Sequence, residues 1–194
     1  MATSPTEILL LHHAQGRTDG VLALAERFRE EGHVVHVPDQ YDGHVFATLD
    51  EGIGYAEEVG FQTLLDRGVG AAEGLPAALT YVGISLGVMP AQALAQNRAG
   101  ARGAVLLESC VPAEEFGAWP DAVPLQVHGM ADDPVFAGEG DLDAARALVA
   151  AVPDGELVVH PGAVHLFSDR TLATYDESAT ERMLQTLLPF LARL

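Results

Sequence analysis

Apolar residues along this chain fall into two kinds of pattern that alternate. Short continuous runs come at Ile8-Leu9-Leu10-Leu11, Val34-Val35-His36-Val37, Leu79-Thr80-Tyr81-Val82, Ala104-Val105-Leu106-Leu107, Leu125-Gln126-Val127-His128 and Leu157-Val158-Val159-His160. Runs of this length without polar alternation predict strands covered on both faces. Between them lie segments with helical spacing. Val21 to Glu31 places Leu22, Leu24, Ala25 and Phe28 on one stripe and stops at Gly32. Leu49 to Val59, Phe61 to Ala72, Pro90 to Ala95, Asp141 to Val152 and Asp176 to Leu194 complete the predicted helices, with Gly52 and Gly54 weakening the first of these and Pro189 predicting a kink in the last. Residues 39 to 48 and Cys110 to Val123 read as connections. Strands alternating with helices imply an α/β fold, a mostly parallel sheet flanked by helices on both faces.

Composition narrows the picture. With 194 residues, 48% of them hydrophobic, and no linker-like tract, residues 1–194 read as one domain. The formal charge of −18 makes nucleic acid and anionic membrane surfaces poor partners. All ten basic residues are Arg, a bias without functional content. Cys110 is the single cysteine, so no intrachain disulfide exists and a reducing compartment is expected. Met1 to Glu7 lacks the basic and apolar regions of a leader peptide, and no run approaches the roughly 20 apolar residues that span a bilayer. A cytoplasmic protein is the expectation.

The densest chemical signal is Gly83-Ile84-Ser85-Leu86-Gly87, placed between a predicted strand and a predicted helix. A G-x-S-x-G in that setting is a nucleophile elbow, a turn so sharp that it lifts the serine hydroxyl above the sheet edge. Serine needs a base to react at neutral pH. His165 follows the last strand in Pro161-Gly162-Ala163-Val164-His165-Leu166-Phe167, and Asp132 and Asp133 follow the strand before it in Gly129-Met130-Ala131-Asp132-Asp133-Pro134. Taken singly, each has an ordinary reading: a turn serine, a surface histidine, an Asp-Pro turn. Together they give Ser, Asp and His in hydrolase order, each on a strand-end loop, where functional groups of open α/β sheets collect.

At these residues the chain resembles the dienelactone hydrolase family of α/β-hydrolases. The likeness also rests on His12-His13-Ala14-Gln15-Gly16 and Pro38-Asp39-Gln40-Tyr41-Asp42-Gly43, and it runs from the first strand to the last loop. It implies a compact hydrolase with a nucleophile–His–Asp triad, acting on a small ester or lactone without a cofactor. Ser85 stands where the best-known members carry Cys, which favours a general esterase over the dienelactone reaction. Those members also carry a Glu that gates the thiol and Arg groups that hold a substrate carboxylate. No clear counterpart of the Glu is apparent, and neither Arg17 nor Arg170 falls in register.

The resemblance further implies an oxyanion hole from the backbone N–H groups of Ala14 and Leu86. Spacing from the strand-ending glycine favours Asp132 as the acid, and the following proline favours Asp133; Asp133 is preferred. His12 and His13 point to opposite faces of an extended chain, which argues against a metal site. His13 is expected to line the substrate pocket. Cys110 borders it or fills the core, and Trp119, with Phe116, walls an acyl site or plugs the core edge. The rival functions are acyl transfer to an acceptor other than water and non-catalytic binding of a small molecule in the same cleft.

Overall fold

The computed structural model describes residues 5–194; Met1 to Ser4, part of the stretch read for a leader, lie outside the described residues. Strands β1 (Glu7–Leu11), β2 (Val34–His36), β3 (Thr80–Ile84), β4 (Gly103–Leu107), β5 (Leu125–Met130) and β6 (Gly155–His160) form one parallel sheet in the order β2-β1-β3-β4-β5-β6. The helices are α1 (Asp19–Glu30), α2 (Leu49–Val59), α3 (Phe61–Gly70), α4 (Val88–Asn97), α5 (Asp141–Ala151) and α6 (Glu177–Ala192).

The two-residue period of a strand divides the core. Ile8, Leu10, Val82, Ile84, Val105 and Leu107 face α1 and α6, where Phe28, Leu187 and Phe190 pack on them. Leu9, Leu11, Tyr81, Ala104, Leu106 and Val127 face the other way, onto Ala91 and Leu94 of α4 and Leu148 of α5. Every residue of β3, β4 and β5 is buried, which explains why these strands read as unbroken apolar runs. A third, smaller cluster sits at the carboxyl edge of the sheet, where Tyr41, Ala56 and Leu64 surround Ala14 and Leu86.

Helix starts are chemically marked. The Thr18 hydroxyl accepts from Val21 N at 3.1 Å to cap α1, and Asp176 accepts from Ala179 N at 2.9 Å to cap α6. Thr48 and Glu51 form a reciprocal capping box on α2, which stabilises a helix that contains two glycines. Several ends differ from the sequence reading. β3 runs on through Gly83 and Ile84, β5 through Gly129 and Met130, and β6 starts at Gly155, because ladder hydrogen bonds need only backbone. β6 is an edge strand, and its Val159 is 42% exposed. The last helix runs unbroken through Pro189, to Ala192. Among the described residues, no helix is long and apolar enough to cross a membrane.

Candidate active site

All strands point the same way, so the loops after β1, β3, β4, β5 and β6 gather at one edge. The register brings Leu11 beside Gly83, Ile84 beside Leu107 and Met130 beside His160. Beyond Ile84 the chain makes a single short turn, Ser85–Gly87, and enters α4. Ser85 takes φ +48°, a left-handed conformation that costs an L-residue roughly 1–2 kcal/mol. Its flanks must be glycine. A Cβ on Gly83 would lie 2.5 Å from the Gly87 carbonyl oxygen, and one on Gly87 would lie 2.3 Å from that of Leu11.

Three side chains from three loops meet in line. Ser85 Oγ lies 3.0 Å from His165 Nε2, and His165 Nδ1 lies 2.8 Å from Asp133 Oδ2. A carboxylate can only accept, so Nδ1 carries the proton and Nε2 is free to accept from the serine hydroxyl. Asp133 is wholly buried and its other oxygen accepts from Val135 N at 2.8 Å, whereas the neighbouring Asp132 is exposed. Burial opposes charge on His165, but the Asp133 hydrogen bond and the charges of Glu108, Asp133 and Asp141 outweigh it and raise its pKa above the usual value.

The backbone around Ser85 supplies hydrogen-bond donors. Leu86 is the second residue of the turn into α4, so its N–H precedes the ladder of that helix. Ala14 lies in the loop after β1, buried in the same cluster as Leu86. That loop is held from several sides. His13 Nε2–H donates to Asp169 Oδ2 at 2.9 Å, while its Nδ1 accepts from Gln15 N at 3.2 Å. Thr18 also donates to Asp169, which accepts from Thr171 as well. These donors outweigh the effect of burial and hold the Asp169 carboxyl down at about 2. His12 donates from Nδ1 to the His13 carbonyl at 2.8 Å and accepts from Gln40 N at 3.0 Å. Helix α2 closes the other side, so near that a Cβ on Gly52 would stand 2.0 Å from the Ala14 oxygen.

One expectation is corrected and two open readings are resolved. His13 does not line a pocket: it is fully buried, and its ring ties the β1 loop to the segment after His165. Cys110 belongs to the core beneath α4 and α5, with burial pushing its thiol up to about 12. Trp119 packs at the edge of that core and its Nε1–H donates to the Val123 carbonyl at 2.7 Å, so it plugs rather than walls the site. Among the described residues, no cluster of side chains could hold a metal ion.

Two residues escaped the sequence reading. Glu108, directly after β4, is fully buried at φ +63°, and accepts from Phe167 N at 3.1 Å and Ser168 Oγ at 2.7 Å. It thus anchors the segment that follows His165. Its signal was available: an acidic residue directly after an all-apolar strand, at the functional edge of the sheet. Asp169 gave no such signal, because the β1-loop groups it holds, His13 and Thr18, lie 156 and 151 positions away.

A parallel sheet with a serine raised on a strand-to-helix elbow, backed by a histidine and a buried acid from later loops, is the α/β-hydrolase architecture. Within that class, residues 2–194 match the dienelactone hydrolase family, and the chain belongs to it. Solved structures with the same fold include a dienelactone hydrolase-like promiscuous phosphotriesterase from metagenomic libraries, 21% identical at a TM-score of 0.73, over 98% of this chain and 87% of that one. Esterase 2 of Thermogutta terrifontis, phosphonylated by cyclosarin, is 17% identical at 0.71, over 99% and 84%. Dienelactone hydrolase from Anabaena variabilis is 16% identical at 0.68, over 98% and 87%. No curated protein sequence matches the chain significantly.

Proposed function

We propose that this hydrolase is a serine esterase that cleaves a small carboxylic ester or lactone through an acyl-enzyme. The observation that carries the reading is the line from Ser85 Oγ through His165 to Asp133, with spacings of 3.0 and 2.8 Å. As Ser85 Oγ bonds to the carbonyl carbon, its proton passes to His165 Nε2. Asp133 holds the tautomer and stabilises the imidazolium that forms. The carbonyl oxygen becomes an oxyanion and is met by the N–H groups of Leu86 and Ala14, each such donor contributing roughly 3–4 kcal/mol to the transition state. Collapse breaks the bond to the leaving oxygen, which takes the proton from Nε2. Water then repeats the sequence on the acyl-enzyme, releasing acid and restoring Ser85.

The left-handed backbone at Ser85 supports a reactive role, because strain of this kind persists where the surroundings enforce it. We place the enzyme in the cytoplasm on the strength of its single, buried, unpaired cysteine. The test is treatment with a fluorophosphonate followed by mass spectrometry. An adduct on Ser85, with hydrolysis of p-nitrophenyl acetate falling at least about 10³-fold in Ser85→Ala, is the expected result. A folded protein without adduct, whose slow turnover is unchanged in Ser85→Ala, defeats the proposal.

A further inference from the structure

Beside His165 the surface folds into a cleft of about 190 Å³. Gln15 contributes from the β1 loop, Leu49 from the first turn of α2, and Leu166, Leu172 and Thr174 from the segment after β6. The volume falls below the roughly 300–1,000 Å³ of a pocket that encloses a whole ligand, so the cleft has room for one arm of a substrate rather than all of it. Mechanism identifies the arm. His165 returns its proton to the departing oxygen, so the alcohol part of the ester lies on the imidazole side. The acyl carbon sits between Ser85 and the backbone amides.

The walls of this cleft carry two leucines' worth of apolar contact beyond Leu166, with amide and hydroxyl groups but no charge other than what His165 acquires. Side-chain charges acting on His165 are negative, and the positive end of α2 in the cleft wall is already taken up by its own cap, Thr48 with Glu51. Asp133 lies behind His165, and Asp141, which accepts from Ser109 Oγ at 2.5 Å and Cys110 N at 3.2 Å, is close enough to act on the same imidazole. Cations adjacent in sequence are directed elsewhere. Arg17 donates to the Val37 carbonyl at 3.2 Å, and Arg170 lines a separate cleft between α1 and α6. Among the described residues, a carboxylate entering beside His165 would therefore lose hydration, meet no cation in the cleft wall, and approach existing negative charge.

We infer that the cleft takes the alcohol arm of a short, uncharged ester and that the site discriminates against esters whose alcohol arm carries a carboxylate. The inference rests on the esterase reading and specifies its substrate class. Its test compares two acetate esters of similar size, 2-methoxyethyl acetate and carboxymethyl acetate, by acetate release from the full-length protein. The neutral ester should be preferred at least about tenfold in kcat/KM. Added salt should narrow the gap by screening. Thr174→Arg, at an exposed cleft position, should shift the ratio toward the anionic ester by at least about threefold. Fluorophosphonate labelling of Ser85, run in parallel, separates the two ways of failing. Ser85 labelled, with the anionic ester turned over as well as or better than the neutral one, or with neither turned over, overturns the inference alone. Ser85 unlabelled and both esters inert overturns the esterase reading and the inference with it.

Discussion

Two adjacent aspartates show how much one position decides. Asp133 turns inward to His165 at 2.8 Å, while Asp132 stays exposed and only its backbone N–H is engaged, with the Gly162 carbonyl at 2.9 Å. Asp133→Asn should lower kcat by about 10⁴-fold through the wrong imidazole tautomer, with Asp132→Asn within a few-fold of wild type. The pH profile adds a second reading. His165 must be neutral to accept the serine proton, and its pKa is raised, so the acidic limb of kcat/KM should lie above the ordinary histidine value. Loss of the Asp133 charge should move that limb down. A Ser85 variant is insensitive to this distinction, so the aspartate pair and the profile are to be measured together. Equal losses in both variants would place the acid elsewhere.

At the scale of elements, the edge of the sheet works because helix and loop approach almost to backbone contact. Helix α2 packs Gly52 against the Ala14 carbonyl, and the Tyr41 hydroxyl donates to the Gly52 carbonyl at 3.2 Å. A Cβ on Gly54, one half-turn on, would meet nothing within 4 Å among the described residues. Helix propensity alone assigns both Gly→Ala changes a gain of about 1 kcal/mol. Gly54→Ala should keep that gain as a higher melting temperature with unchanged turnover. Gly52→Ala should lower both stability and kcat, because the new methyl must displace the loop that presents the Ala14 amide. Thermal melts and acetate ester kinetics on the two variants check this directly, and matching behaviour would show that α2 does not brace the loop. The helix itself was legible from its period and from Thr48 and Glu51, but the reason for its glycines was not, since the Ala14 carbonyl that excludes a side chain lies 38 positions earlier.

Over the whole molecule, buried histidines make stability depend on acid. Burial lowers His128 to about 3, with its neighbour His160 adding to the effect, and it lowers His12 to about 4. His128 Nδ1 and His160 Nε2 lie 3.1 Å apart across β5 and β6, and His128 Nε2 lies 2.8 Å from Gln126 Oε1. An unfolded chain binds these protons near pH 6.5, and the fold refuses them until far lower. The contribution of these two histidines is therefore full above about pH 6.5 and falls as pH drops toward 4, by about 1.4 kcal/mol per unit for each group. His165 opposes this trend, since its raised pKa adds stability below pH 6.5 that is lost as pH rises through the raised value. The urea midpoint should be lower at pH 5 than at pH 7.5, and His128→Gln should flatten the slope by about one proton. An unchanged slope would mean that His128 is already solvated. What the sequence by itself determined was the parallel α/β sheet, its covering helices and the placing of Ser85 and His165 on strand-end loops. Those features follow from local period, glycine geometry and chain order, which neighbouring residues encode. The tertiary structure alone decided that Asp133 rather than Asp132 meets His165, that His13 braces a loop through Asp169, that Trp119 and Cys110 fill the core, and that Glu108 anchors the segment after the histidine. Each of these depends on which distant groups share a buried volume, and burial and hydrogen bonding between segments far apart in the chain leave no periodic trace within either segment.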